Sequence, residues 1–188
     1  TATWYETEVA PGRAGEVCHV ACVTWTLPAE YCEMQNEGTV CDTACCPVGA
    51  EGRWTGGGTI DWEATIPEGA HVTHGFEFHC NLCPPNNLEV NWTGGHRFHM
   101  LEMLSADCRL NPDSLPPHPP WHAPINEIFA TGTGRYDGVE GASVEWHFTD
   151  AGEPGKDDWA DIVVWDADGN VVLDARGHLK KGNHQTHR

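Results

Sequence analysis

An alternation with a period of two is the feature that most constrains this chain. In "HVTHGFEFHC", Val72, His74, Phe76 and Phe78 alternate with Thr73, Gly75, Glu77 and His79. "NLEVNW" repeats the pattern with Leu88, Val90 and Trp92, and "SVEWHFT" with Val144, Trp146 and Phe148. Successive side chains of a strand point to opposite faces, so the pattern predicts half-buried antiparallel strands. "DIVVWDADGNVVLDA" reads as two strands joined by a tight turn at Asp168-Gly169. Helix has little room, because 21 glycines and 13 prolines are spread along the chain and both residue types break helices. The best helix candidate, "RFHMLEMLSADC", reads equally as a strand ending near Ser105. "NPDSLPPHPPWHAP", with six prolines in fourteen residues, reads as an extended connection or a surface loop. The expected fold is all-β: an antiparallel β-sandwich or a partly open barrel.

Residues 1–53 differ from the rest. They hold Cys18, Cys22, Cys32, Cys41, Cys45 and Cys46, and are too short and turn-rich to build a large core. We expect a cysteine-rich, disulfide-stapled N-terminal arm over 1–53 and a β domain over 54–188. With Cys80, Cys83 and Cys108 the cysteines number nine, which suits disulfides outside the cell or metal sites inside it. "CNLC" at 80–83 is followed by Pro84, not the histidine of a c-type haem site, while "CHVAC" and "CDTACC" keep zinc open. Compartment and size favour structural disulfides, with all nine cysteines as candidates. The odd count leaves one thiol free or bonded to another chain. A start at Thr1 is what a secreted protein with its signal cleaved would show, and a trimmed chain would show it too.

The formal charge of −18 repels nucleic acid and anionic membranes. No stretch approaches the ~18 apolar residues of a membrane span. The acids crowd into "TDAGEPGKDDWADI", 149–162, where Asp150, Glu153, Asp157, Asp158 and Asp161 face one cation, Lys156. Calcium takes six to eight oxygens in a flexible cage, and glycines let backbone carbonyls turn inward. Asp150, Glu153, Asp157 and Asp158 are therefore a candidate Ca2+ site, against the alternative of an ordinary solvated loop. The twelve histidines include no His-Glu-x-x-His motif, and His71 and His79 share a strand face that His74 does not. The glycines at 56–58 precede "TIDW" and match no phosphate loop or dinucleotide fingerprint. No catalytic set emerges, and an enzyme is not expected.

The order "WTGGGTI … HGFEFHC … FATGTGRYDG … VEWHFTDAGEPGKDDWADIVV … GHLKKGNHQTH" resembles the post-COAP type of domain found in secreted and surface bacterial proteins. Three elements carry the likeness: the glycine triplet 56–58, the loop "D-x-GEPG-x-x-D" at 150–158, and the closing "GNHQTH" at 182–187. It covers about residues 54–187 and leaves 1–53 unexplained. The resemblance implies a compact, extracellular, mostly β domain without assigned catalytic residues. It also strengthens the calcium expectation and makes a Cys80–Cys108 bridge attractive.

Three classes of function follow. The first is a self-assembling extracellular filament or surface-layer subunit stabilised by disulfides and calcium. In this class copies of the chain associate through the N-terminal strand "TATWYETEV" and the basic tail carrying Arg176, Lys180, Lys181 and Arg188. The second is a calcium-dependent module for carbohydrates or surface glycans, with Trp92, Trp121 and Trp146 as candidate stacking rings. The third, an enzyme, needs a carboxylate-bearing cleft that the sequence does not display.

Overall fold

The computed structural model describes residues 2–9, 16–26, 37–47, 52–60, 64–82, 85–114 and 125–187. The chain divides into two compact units, Thr1–Gly49 and Ala50–Arg188.

The first unit is a three-stranded antiparallel sheet in the order β1 (Ala2–Val9), β2 (Glu16–Thr26), β3 (Glu37–Pro47). Its register sets Cys18 opposite Cys45 and Cys22 opposite Cys41. Cys22 is buried and disulfide-bonded. Cys32 and Cys83 lie outside the described residues, as does Trp121.

The second unit is all-β, as the alternation predicts. Its strands are β4 (Arg53–Ile60), β5 (Ala64–Ile66), β6 (Val72–His79), β7 (Asn87–Trp92), β8 (His96–Arg109), β9 (Glu127–Tyr136), β10 (Val139–Thr149), β11 (Trp159–Trp165), β12 (Val171–His178) and β13 (Lys181–His187). They form one antiparallel sheet in the order β13-β4-β6-β7-β8-β9-β10-β11-β12-β5. Sequence distance shows why this sheet must curl. β4 and β5 stand near opposite ends of the order, yet only residues 61–63 separate them in the chain. β12 and β13 likewise stand at or next to opposite ends, joined by residues 179 and 180. A few residues reach only ~3.5 Å each, so the two ends are drawn together. The result is a curled, partly open barrel, the second of the two expected architectures.

The core lies inside the curl. Val72, His74, Phe76 and Phe78 are the buried residues of β6, and Val144, Trp146 and Phe148 are among those of β10. Phe76 and Phe78 stack along β6 at 4.7 Å, and Phe78 meets Trp146 of β10 across the interior at 4.9 Å. "RFHMLEMLSADC" belongs to the fourteen-residue strand β8, which continues past Ser105 to Arg109. Register shifts between Met100/Glu102 and Met103/Ser105 mark irregularities in its pairing with β9. They leave Met100 and Met103 buried and Leu101 and Leu104 exposed, a spacing that imitates a helix. A disulfide joins Cys80, just after β6, to Cys108 near the end of β8, as the resemblance implies. The turn after β11 is closed by Asp166, whose Oδ1 accepts the backbone N–H groups of Asp168 and Asn170.

Candidate functional site

The three sequence elements that carry the resemblance meet at one strand. β13 pairs along β4, with Gly182 opposite Gly58, Asn183 opposite Gly57 and His184 opposite Gly56. A Cβ on Gly182 would strike Gly57 O and lie 2.4 to 2.9 Å from other atoms of that triplet, so the two backbones approach too closely for any side chain there. The acidic loop closes over the other edge of β13. Asp158 Oδ2 accepts the backbone N–H of His184 at 2.7 Å, and Asp150 Oδ2 accepts that of Thr186 at 2.9 Å. Alternate N–H groups of an outer strand point away from its partner, and the two carboxylates take those of His184 and Thr186. Thr186 Oγ1 also donates to Asp150 at 2.8 Å, and the side-chain amides of Asn183 and Gln185 donate to Glu153 Oε1 at 2.9 and 2.6 Å.

Three of the four candidate calcium ligands, Asp150, Glu153 and Asp158, are thus gathered around β13, each facing amide or hydroxyl donors. Asp157 is separate: its side chain is exposed, and its backbone carbonyl accepts from His178 Nδ1 at 3.1 Å. Among the described residues, no group of three or more His, Cys, Asp or Glu is arranged to hold a metal ion. Asp158 is fully buried, and its second oxygen takes the N–H of Ala151 at 2.8 Å. Burial raises its pKa to about 7 despite these two donors, with Asp150 and Glu153 nearby adding to the rise.

Beneath the strand, His184 and His74 form a buried pair, Nε2 to Nε2 at 2.8 Å. The carbonyl of Thr149 lies 3.1 Å from His184 Nδ1. A carbonyl only accepts, so His184 carries its proton on Nδ1 and its Nε2 is the acceptor. His74 must then donate from Nε2, which leaves its Nδ1 without a proton; that atom has no hydrogen-bond partner. Burial holds both imidazoles neutral, lowering His184 to about 4 and His74 well below its usual value. The pair is 110 residues apart in sequence, and spacing alone gave no sign of it.

A second feature opens on the far side of the same loop. The register aligns Glu127, Thr149, Trp159 and His178 in one row across β9, β10, β11 and β12. With Asn111, His147 and Asp157 they line an open cleft of about 610 Å³. Glu127 is buried at its floor, although an ion so placed resists desolvation. Donors from Arg109 at 2.6 Å, Asn111 at 3.2 Å and His147 at 2.9 Å more than offset the burial and hold its pKa below the usual carboxylate value. Trp159 is half-buried and meets the His178 ring edge-on at 5.1 Å. Of the tryptophans expected to stack on sugars, Trp92 and Trp146 are buried in the core, as large rings on alternating strands generally are. Trp159, at the mouth of the cleft, was not singled out by sequence reasoning. Comparison with known protein families, with curated proteins and with solved structures finds no match to this chain.

Proposed function

We propose that the chain is a structural module of a secreted or cell-surface bacterial protein, of the post-COAP type over residues 54–187, which assembles with its own copies into a filament or surface layer. The contrast between two sheet edges carries this reading. The outer N–H groups of β13 at His184 and Thr186 are consumed by Asp158 and Asp150, which protects that edge against a neighbour. β1 and β3 are the outer strands of the N-terminal sheet, and an outer strand offers a row of backbone donors and acceptors to another copy. Assembly therefore runs through the N-terminal strand. The basic tail instead completes its own sheet through β4.

In this reading the positive partner of the acidic loop is the donor edge of β13, and no divalent ion is required. The N–H and amide dipoles already point at the oxygens a calcium ion would need. The meeting of the glycine triplet, the acidic loop and "GNHQTH" supports a single architectural role for all three. The bridge of Cys80 to Cys108 fits an oxidising compartment.

The test is the quaternary state of natively purified, untagged protein by light scattering and negative-stain microscopy. Polymers or ordered layers that dissociate when residues 1–9 are removed are the expected result. Single-copy particles at every concentration would refute assembly.

A further inference from the structure

We propose that the cleft above β9–β12 binds a neutral saccharide, with Trp159 as the stacking surface. This site goes beyond the assembly reading and does not depend on it. Three observations carry it. The first is size: about 610 Å³ falls within the range of small-molecule clefts, ~300–1,000 Å³, and suits one or two sugar rings. The second is the ring. Trp159 stays half-buried at the cleft, whereas Trp54, Trp92 and Trp146 are buried in the core. One apolar face beside polar groups is what the C–H face of a pyranose requires.

The third is the chemistry of the polar lining. His178 Nδ1 donates to the Asp157 carbonyl, so its Nε2 is an acceptor when the ring is neutral. His147 donates from Nε2 to Glu127, which makes its Nδ1 an acceptor likewise. Asp113 and Asp157, both exposed carboxylate-bearing residues, line the same cleft. Acceptors therefore predominate, and hydroxyl groups are donors that satisfy them without bringing charge. An anionic ligand would meet Asp113, Asp157 and Glu127. A cationic ligand would lack a buried counter-charge, because Glu127 is already held by Arg109.

Calcium plays no part in this arrangement, because the loop turns Asp150, Glu153 and Asp158 to β13 and only Asp157 to the cleft. The sheet beneath is fixed by four consecutive strands, so the site is formed before ligand arrives.

The test is a two-dimensional amide NMR titration of the intact chain with a panel of neutral mono- and disaccharides, and in parallel with tetramethylammonium and acetate. At least one saccharide is expected to shift resonances of residues 111–114, 147–151 and 157–159 in the presence of EDTA. W159A should weaken that binding at least ten-fold, and D113A several-fold with an unchanged melting temperature. The D113A variant guards against misreading a folding defect in W159A as lost binding. No saccharide shift at those residues up to ~10 mM, about ten times a millimolar dissociation constant, would overturn the proposal. Equal affinity in W159A, or a response to tetramethylammonium or acetate alone, would overturn it too. A failed titration leaves the assembly reading standing, and single-copy particles leave the cleft standing.

Discussion

At the scale of single residues, the buried imidazoles make stability depend on pH in a direction that can be worked out. Unfolded histidine takes up a proton below about 6.5, while burial holds His184 neutral down to about 4 and lowers His74 well below its ordinary value. Between those values the unfolded chain binds protons that the folded chain does not, so the pair's contribution is complete above pH ~6.5 and falls as pH drops. Asp158 acts oppositely: with its folded pKa raised to about 7, its contribution is complete below the unfolded value and lost as pH rises through 7. Two protons on one side and one on the other leave a net loss of stability on acidification. Replacing His74 by Phe removes one of the two. Urea unfolding at pH 7 and pH 5 should show H74F losing less than the natural chain, by up to about 2 kcal/mol; an equal loss would contradict the neutral pair. The glycines give a second test. Gly182 (φ 108°) and Gly138 (φ 86°) both hold left-handed backbone, but a Cβ on Gly138 meets nothing within 4 Å, while one on Gly182 meets the β4 backbone. G138A should cost only the strain, roughly 1–2 kcal/mol. G182A should cost several kcal/mol, since two paired strands must separate, and melting curves of the two variants measure the difference.

At the scale of elements, what was legible in the sequence depended on where the partner lay. The alternation of β6, β7 and β10 was plain because the period of two is local, and it placed Val72, Phe78, Val90 and Phe148 in the core without knowledge of their neighbours. β8 was ambiguous because the irregularities at Met100/Glu102 and Met103/Ser105 break the local period. The acidic loop is legible in the sequence, and a cation is the partner its letters suggest; the donors that β13 adds are not legible there. Backbone N–H groups of a strand 26 and 36 residues away carry no letter in the sequence, so the requirement was legible and the means were not. Trp159 went unnoticed for a similar reason, since a strand-end tryptophan becomes a cleft wall only once β9 to β12 are aligned. The bridge between Cys80 and Cys108 acts at this scale too, with a sequence separation of 28. Closing a loop of that length stabilises by about 3–4 kcal/mol through the unfolded chain. C108S should lose about that much in urea unfolding, while reduction should change the stability of C108S residues 50–188 no further. Continued loss on reduction would mean that another bridge supports the barrel.

At the scale of the whole chain, the formal charge of −18 must be reconciled with a fold that gathers Asp150, Glu153 and Asp158 at one strand. Two mechanisms of neutralisation make different demands on salt. A bound calcium ion responds to calcium itself, at concentrations near its dissociation constant, and stabilises by mass action. Diffuse self-repulsion responds to ionic strength and is indifferent to which ion supplies it, because screening depends on the Debye length, ~10 Å at 0.1 M. The proposed reading takes the second: oxygens of the loop accept from donors of β13, and the remaining repulsion is spread over the chain. The melting temperature should therefore rise with sodium chloride, and calcium chloride at matched ionic strength should raise it equally. EDTA at constant ionic strength should leave it unchanged. A rise at micromolar calcium that sodium cannot reproduce, abolished by D150N, would return the loop to the role of a metal cage. If sodium and calcium act alike, D150N instead destabilises through the lost acceptor for Thr186, by about 1–3 kcal/mol, and does so equally in either salt.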